Sequence, residues 1–378
     1  MSTPTDRRNF LSTGLSTGAA ATFTIMAPHL IKGSQANSAL SVGLIGCGTR
    51  GMYVSNFFAK NEYAKVTALC DIYEDRLTIG EQKFTGAKKF RAHQDLLASD
   101  VDAVYIATPI FFHPEHFEAA TRARKHIFME KAAAVDVKGC NRVLAAARKA
   151  DPTKRISMDF QQRYGKDYRH AHELVTGGEL GLLKMVRAAW LGTGAPIKKG
   201  HQLSEERIRN WFFYKEMSGD MIIEQNCHNI DVIHWFTGMK PVKACGYGSR
   251  QRTDIGDILD NLAFTFQYAN GLIVSFSANQ FGKGTGWSDV GETFMCEKGT
   301  IHISRQGYRL HREGQPVEEV KTVGDITKDA VDQFIEGART GQMENAAIWG
   351  AESTLMAILA RESIYSGKEM TWDRLMKG

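Results

Sequence analysis

The stretch VGLIGCGTRG, Val42–Gly51, decides how this chain of 378 residues is read. It has the texture of a short apolar strand, a glycine-rich turn, and a helix opening at Thr49–Met52. Gly46, Gly48 and Gly51 fit the spacing G-x-G-x-x-G, and each has a mechanical reason. Gly46 allows a tight turn, Gly48 removes the side chain that would block a pyrophosphate, and Gly51 lets the new helix lie close to the strand. The N–H groups at the helix start, around Thr49 and Arg50, attract phosphate charge.

Working outward, a second apolar run, Val66–Cys70, ends at Asp71, 25 positions after Gly46. An acid at the end of the second strand is where a ribose hydroxyl is gripped. A third strand, Val104–Ala107, leads into Thr108-Pro109, and a fourth, Ile127–Met129, into Glu130-Lys131. Helical stretches separate them at Asn56–Lys60, Asp75–Phe84, Pro114–Arg124 and Asp136–Ala150. This alternation predicts a doubly wound parallel sheet, an N-terminal Rossmann domain over residues 37–160. Ligands of such sheets sit beyond the carboxyl ends of the strands, where Asp71, Thr108, Glu130 and Lys131 all fall.

From Leu182 onward the texture changes to strands at Met185–Leu191, Lys243–Tyr247, Leu262–Tyr268, Leu272–Asn279, Thr293–Cys296 and Ile301–Ser304. Asn270-Gly271 is a hairpin signal between two of them. The expectation is a second α/β domain, residues 161–378, with an open, mainly antiparallel sheet and a helical tail that returns toward the first domain. The helix predicted over Gly219–Phe236 holds Glu224, His228 and Asp231 on one stripe. Such a stripe suits a metal site, a proton-transfer pair, or a buried histidine bonded to its neighbours for structural reasons.

Composition narrows the partners. A net charge of +5 with no block of Lys and Arg gives no sign of nucleic-acid binding. Six scattered cysteines without C-x-x-C argue against a zinc cluster or a disulfide framework. At the N-terminus, Arg7-Arg8-Asn9-Phe10-Leu11 precedes a mildly apolar segment, the pattern of a twin-arginine export signal over residues 1–36. The segment is too short and polar for a stable membrane span. Cleavage after Ala36 would remove Arg7, Arg8, Lys32 and Asp6, taking the net charge from +5 to +3. The expected location is the periplasm or cell envelope.

The glycine loop, Asp71, Ala107–Pro109 with His113, Glu130-Lys131 and the E-x-x-x-H-x-x-D segment together resemble the Gfo/Idh/MocA oxidoreductases, the family of glucose–fructose oxidoreductase and inositol dehydrogenase. The resemblance implies an oxidoreductase using NAD or NADP on a secondary hydroxyl of a sugar, polyol or glycoside. It implies cofactor contacts from Gly46, Gly48, Thr49, Arg50, Gly51, Asp71, Thr108, Pro109, His113, Glu130 and Lys131. It assigns catalytic parts to Lys131, His228 and Glu224, and a place in the substrate pocket to Arg163, Tyr164 and Asp231. No metal is implied. A homo-oligomer through the sheet of the second domain is expected, with Phe264–Phe266 and Val274–Phe276 as an apolar face.

Two departures stand out: Ala132 follows Lys131 where relatives have proline, and Glu224 replaces an aspartate. Asp71 favours NAD because it would repel a 2′-phosphate, while the nearby Arg76 keeps NADP open. Export in the folded state implies a tightly held cofactor regenerated in place. The rival expectations are a non-catalytic sugar or nucleotide sensor on the same fold and a metal-dependent lyase or hydrolase using the Glu224–His228–Asp231 stripe.

Overall fold

The computed structural model describes residues 39–252, 254–281 and 287–377, so the export signal expected over residues 1–36 lies outside the described residues. The chain from Ala39 onward forms one compact unit. Its first sheet runs β3(Lys88–Phe90)–β2(Ala64–Cys70)–β1(Leu40–Ile45)–β4(Ala103–Ile106)–β5(His126–Met129)–β6(Ile156–Met158). Every pairing in it is parallel. The central strands AVYI and HIFM are buried at each residue, as strands covered on both faces must be. The order reverses between β1 and β4, which opens a crevice at their carboxyl ends.

The glycine loop follows β1 and leads into α1 (Thr49–Lys60), whose N-terminus has no side-chain cap. Gly46 has φ +98°, and a Cβ there would lie 2.6 Å from the Ala107 carbonyl oxygen. A Cβ on Gly51 would lie 2.0 Å from the Gly46 oxygen, so α1 could not sit this close to the turn. A Cβ on Gly48 would meet nothing within 4 Å and would project into open space. Gly46 and Gly51 therefore do the turning and packing jobs that their spacing implied, and Gly48 leaves open space beside the turn.

The second sheet runs β14(Glu318–Lys321)–β13(Gly307–His311)–β12(Gly299–Ser304)–β11(Asp289–Cys296)–β7(Leu183–Leu191)–β10(Ile273–Asn279)–β9(Asn261–Gln267)–β8(Lys243–Ser249)–β15(Met370–Thr371). It is antiparallel except for the β7–β10 pair, which is parallel. Strand β9 alternates exposed and buried residues along its length, so one face packs and the other stays open. The expected fold class is the one observed.

The tail returns to the first sheet. Helix α8 (Ile326–Thr340) places Phe334 against Phe58 and Phe128, with ring centroids 6.0 and 5.4 Å apart. Tyr53 on α1 and Asn61 just after it donate to Asp325 and Asp332 at 2.8 Å each. Aromatic burial of this kind fixes the two halves of the chain as one body. Helix α9 (Ala347–Ser366) packs along α4 (Val137–Arg148), whose N-cap Asp136 accepts from the Gly139 amide at 2.7 Å.

The helix predicted over Gly219–Phe236 is not continuous. Gly219 and Asp220 both have positive φ, +78° and +91°, so helix cannot begin before Met221. One turn, α6 (Met221–Glu224), then stops, and α7 (Cys227–Thr237) starts after a break at Gln225-Asn226. Glu224 and His228 thus belong to different helices. Residues 203–213 are likewise divided into short turns, 203–205, 206–209 and 211–213.

Candidate active site

Two adjoining cavities of about 260 Å³ each open at the carboxyl edge of the first sheet. The first is the crevice at the β1/β4 switch. Gly46, Gly48, Asp71, Thr108 and Pro109 line it from the first domain. Asp71 accepts from the Cys47 amide at 2.8 Å and the Tyr73 amide at 2.9 Å, which fixes its carboxylate beside the glycine loop. Burial holds its carboxyl above the usual range, against the pull of those amides. Lys198, Ile208, Arg209 and Trp211 cover the crevice from the second domain. Arg209 forms a bidentate pair with Asp75 at 2.8 and 2.9 Å, and its guanidinium stacks over Tyr73 at 4.1 Å. Asn210 holds the same strap by donating to the Lys198 carbonyl at 3.0 Å and accepting from the Lys198 amide at 2.8 Å.

These features fit a dinucleotide. Gly48 leaves a cradle that a Cβ would fill, the opening turn of α1 offers uncapped N–H groups, and Asp71 stands ready for a ribose diol. Arg76 and Lys198 bring positive charge to the Asp71 end, which keeps room for a further phosphate.

The second cavity is lined by Arg50, Thr108, Glu130, Lys131, Glu224 and His228, with Trp190, Trp211 and Arg305 closing it. Lys131 follows β5, and the Lys131–Ala132 peptide is cis although no proline is present. Its ammonium lies 2.7 Å from Glu224 Oε1 and also donates to the Glu224 carbonyl. Burial works against that charge, but Glu224 outweighs it and holds the Lys131 pKa above the ordinary value. Lys131 is therefore a cationic donor and not a base.

His228, near the N-terminus of α7, stacks on Trp190 with centroids 5.9 Å apart and planes at 16°, and meets the edge of Phe160. Burial, then the charges of Lys131, Arg305 and Arg50, push its pKa well below the ordinary histidine value. The imidazole is neutral at physiological pH, the state a general base requires. A neutral base and a fixed ammonium converge on one cavity, so a carbinol placed there could lose its hydroxyl proton to His228 while Lys131 polarises the oxygen.

Arg50 ties the glycine loop to this cavity. It donates to Glu130 at 2.8 Å, to Gln161 at 3.0 Å and to Asp159. Glu130 also accepts from Tyr105 at 2.7 Å. Asp159, buried beside Glu130, has its pKa pushed up to about 7, chiefly by burial. Asp159, Gln161, Trp190, Trp211 and Arg305 are site residues that the sequence reading missed. Asp159 follows a strand of only three residues, β6, and strand-end polarity would have found it had β6 been recognised.

Several expected residues lie elsewhere. His113 is fully buried, with Nδ1 2.7 Å from the Ala132 carbonyl oxygen and Nε2 2.9 Å from that of Thr108. It braces the cleft wall from behind and does not face a cofactor. Tyr164 is 2% exposed in the core beneath α8 and so does not reach the substrate cavity. Arg163 and Asp231 form a bidentate pair at 2.8 and 2.9 Å, with the guanidinium 3.8 Å above Trp349 and Ser353 donating to Asp231 at 2.7 Å. That pair is a strut behind α7, not a pocket wall. Thr49 is exposed at the start of α1 and lines neither cavity. With Glu224 held by Lys131 and Asp231 by Arg163, the carboxylate–histidine stripe is divided between two ion pairs. Among the described residues, no three His, Cys, Asp or Glu side chains are grouped as a metal would require.

The fold and these paired cavities define a dinucleotide-dependent oxidoreductase. Residues 40–158 match the oxidoreductase family with an NAD-binding Rossmann fold, and residues 168–302 match the GFO/IDH/MocA C-terminal domain, together about two thirds of the chain. The chain belongs to the Gfo/Idh/MocA family and is an NAD(P)-dependent oxidoreductase acting on CH–OH groups. It is 24% identical to inositol 2-dehydrogenase from Corynebacterium glutamicum over 286 residues, 74% of this chain and 78% of that one. The fold is similar to aldose–aldose oxidoreductase from Caulobacter crescentus, with TM-score 0.73, 20% identity, and coverage of 88% of this chain and 99% of that chain. It is also similar to levoglucosan dehydrogenase solved with NADH and L-sorbose, with TM-score 0.75, 17% identity, and coverage of 89% and 99%.

Proposed function

We propose that the protein oxidises or reduces a secondary hydroxyl of a sugar, polyol or glycoside, and that it carries its NAD tightly through twin-arginine export to the periplasm or cell envelope. The observation that carries the chemical part is the pairing of a neutral His228 with a charged Lys131 in one cavity beside the glycine-loop crevice. The relatives named for inositol, aldose and levoglucosan chemistry support a polyhydroxylated substrate.

When bound, NAD supplies the hydride acceptor or donor. The chain's own residues do the rest. Gly48 and the α1 N-terminus receive the pyrophosphate, Asp71 the adenosine ribose, and Glu130 the end of the cofactor nearest the cavity. His228 takes the hydroxyl proton in oxidation and returns it in reduction, and Lys131 steadies charge on the oxygen. Glu224 positions Lys131 by accepting its hydrogen bonds. Cofactor retention is supported by the strap over the crevice and its Arg209–Asp75 latch. Assembly into a homo-oligomer belongs to the same proposal, but not through the apolar residues expected for it. Phe264, Phe266, Val274 and Phe276 are buried in the core, because they lie on the packed face of the sheet, and the open face of β9 carries Asn261, Ala263, Thr265 and Gln267.

The test is to purify the folded protein from native-like expression, denature it, and identify any released nucleotide. Recovered NAD(H) or NADP(H), or a clear rise in melting temperature when NAD is added, is the expected result. A protein with no nucleotide that gains no thermal stability from either cofactor would sink the proposal. Fractionation of the producing cell tests the export part separately.

A further inference from the structure

Among the described residues, one cation of the reaction cavity has no counter-ion. Arg50 is matched by Glu130 and Asp159, Lys131 by Glu224, and Arg163 outside the cavity by Asp231. Among the described residues, no carboxylate lies within ion-pair reach of Arg305, and its Nε is buried with no hydrogen-bond partner. Its acidic neighbours are already committed: Asp159 to Arg50, and Glu292 to Asn229 at 2.7 Å, with its carboxyl pushed up to about 8 by burial. Burial also holds the Arg305 guanidinium below its ordinary pKa, though such a group stays charged in proteins.

The backbone that carries the side chain is constrained by a tight turn. Arg305 occupies the tight turn between β12 and β13, followed by Gly307 at φ +128°, where a Cβ would lie 1.9 Å from the Val320 carbonyl oxygen. Its guanidinium sits 5.6 Å from the centre of the Trp190 ring, the same indole on which His228 stacks. Trp190 thus carries the proposed proton acceptor and an unmatched guanidinium together, and both line one cavity. A desolvated cation without an anion is unfavourable, and a planar guanidinium suits two-point pairing with carboxylate or phosphate.

We infer that the substrate is a sugar bearing an anionic group, a carboxylate or a phosphate, and that Arg305 is the residue that anchors it. This rests on the reading of the cavity as the substrate site of a hydride-transfer enzyme. The anion is held by Arg305 while the carbinol reaches His228 and Lys131. Arg305 then selects among substrates and takes no part in the proton transfer.

The experiment uses the full-length protein with bound NAD and compares kcat/KM for matched sets: glucose, glucuronate and glucose 6-phosphate, then galactose, galacturonate and galactose 6-phosphate. The expected result is a preference of at least ~10-fold for one anionic class over its neutral parent, in keeping with a charge-assisted bidentate contact. Preference for the uronates identifies a carboxylate, and preference for the sugar phosphates a phosphate. In Arg305→Gln the anionic-to-neutral ratio should fall by ~10-fold or more, and Arg305→Lys should keep part of it by restoring the charge. Melting temperature and NAD binding, measured on both variants, separate this effect from misfolding. NAD binding that persists while neutral sugars are used as well as the anionic ones, or a ratio unchanged in Arg305→Gln, overturns the inference and leaves the proposed function standing. Failure of the wild-type protein to bind either cofactor overturns the proposed function itself.

Discussion

The cofactor crevice and the reaction cavity meet at Thr108 and Trp211, yet they are made from different materials. The glycine-loop end of the crevice is largely backbone: a glycine turn, uncapped helix amides, and one carboxylate pinned by two N–H groups. The cavity is made of charged and aromatic side chains drawn from Arg50, Lys131, Trp190, His228 and Arg305, far apart in the chain. A backbone cradle depends on local geometry and tolerates change around it. A cavity of buried charges depends on each partner remaining in place, because one left alone in a low-dielectric site is costly.

Substitutions should therefore separate the two. The largest effect is expected from His228→Ala, which should lower kcat by ~10²–10⁴-fold, the usual range for loss of a general base, while NAD still binds. The depressed His228 pKa adds that wild-type activity should persist below pH 6.5, since the base is still unprotonated there. Loss of NAD binding in His228→Ala would mean that the two regions are not separable. Lys131→Met should cost ~10²–10³-fold in kcat by removing the polarising donor, and steady-state kinetics at saturating NAD would reveal it.

On the crevice side, Asp71→Ala should weaken NAD binding by ~10-fold, about the worth of a hydrogen bond to a charged group, with kcat at saturating cofactor largely kept. Calorimetric titration would show it. Buried Glu292 offers a pH test of the second domain. Its folded pKa of about 8 lies above the usual carboxylate value, so the stability it lends is full below about pH 4.5 and is lost as pH rises toward 8. Glu292→Gln should therefore melt progressively higher, relative to the parent, as the buffer moves from pH 5 to 8. The smallest effect is expected from Arg209→Ala. Freeing the strap should speed nucleotide release by ~3–10-fold, the scale of a partly exposed ion pair plus ring stacking, and stopped-flow fluorescence would record it.

The same contrast explains what the sequence revealed. Gly46, Gly48, Gly51, Asp71 and Thr108 were legible because their roles follow from spacing along one strand–turn–helix and from strand ends. Lys131 and His228 were legible by resemblance to a family, and the structure brings them to one cavity. Helix periodicity misled where Met221–Ile223 and Cys227–Ile233 keep an apolar rhythm across a break that Asp220 and Gln225-Asn226 impose. His113, Tyr164, Arg163 and Asp231 carry polar groups that look functional in a string of letters, but packing turns them inward or pairs them behind the site. Arg305 was missed for the converse reason: a charged residue in a hairpin turn reads as solvated surface, and only the tertiary fold aims it at Trp190. Direction of a side chain across domains is not written in local spacing.

The central claim, that His228 serves as the base of a hydride transfer to NAD held next to it, is tested most directly by a single turnover. Wild-type and His228→Ala proteins, both loaded with NAD, are mixed with a panel of neutral and anionic sugars and polyols while NADH absorbance is followed. The account predicts a burst of NADH approaching one per site in the wild type and none on that timescale in the variant. Equal bursts in both proteins, or no reduction by any member of the panel in the NAD-loaded wild type, would contradict it.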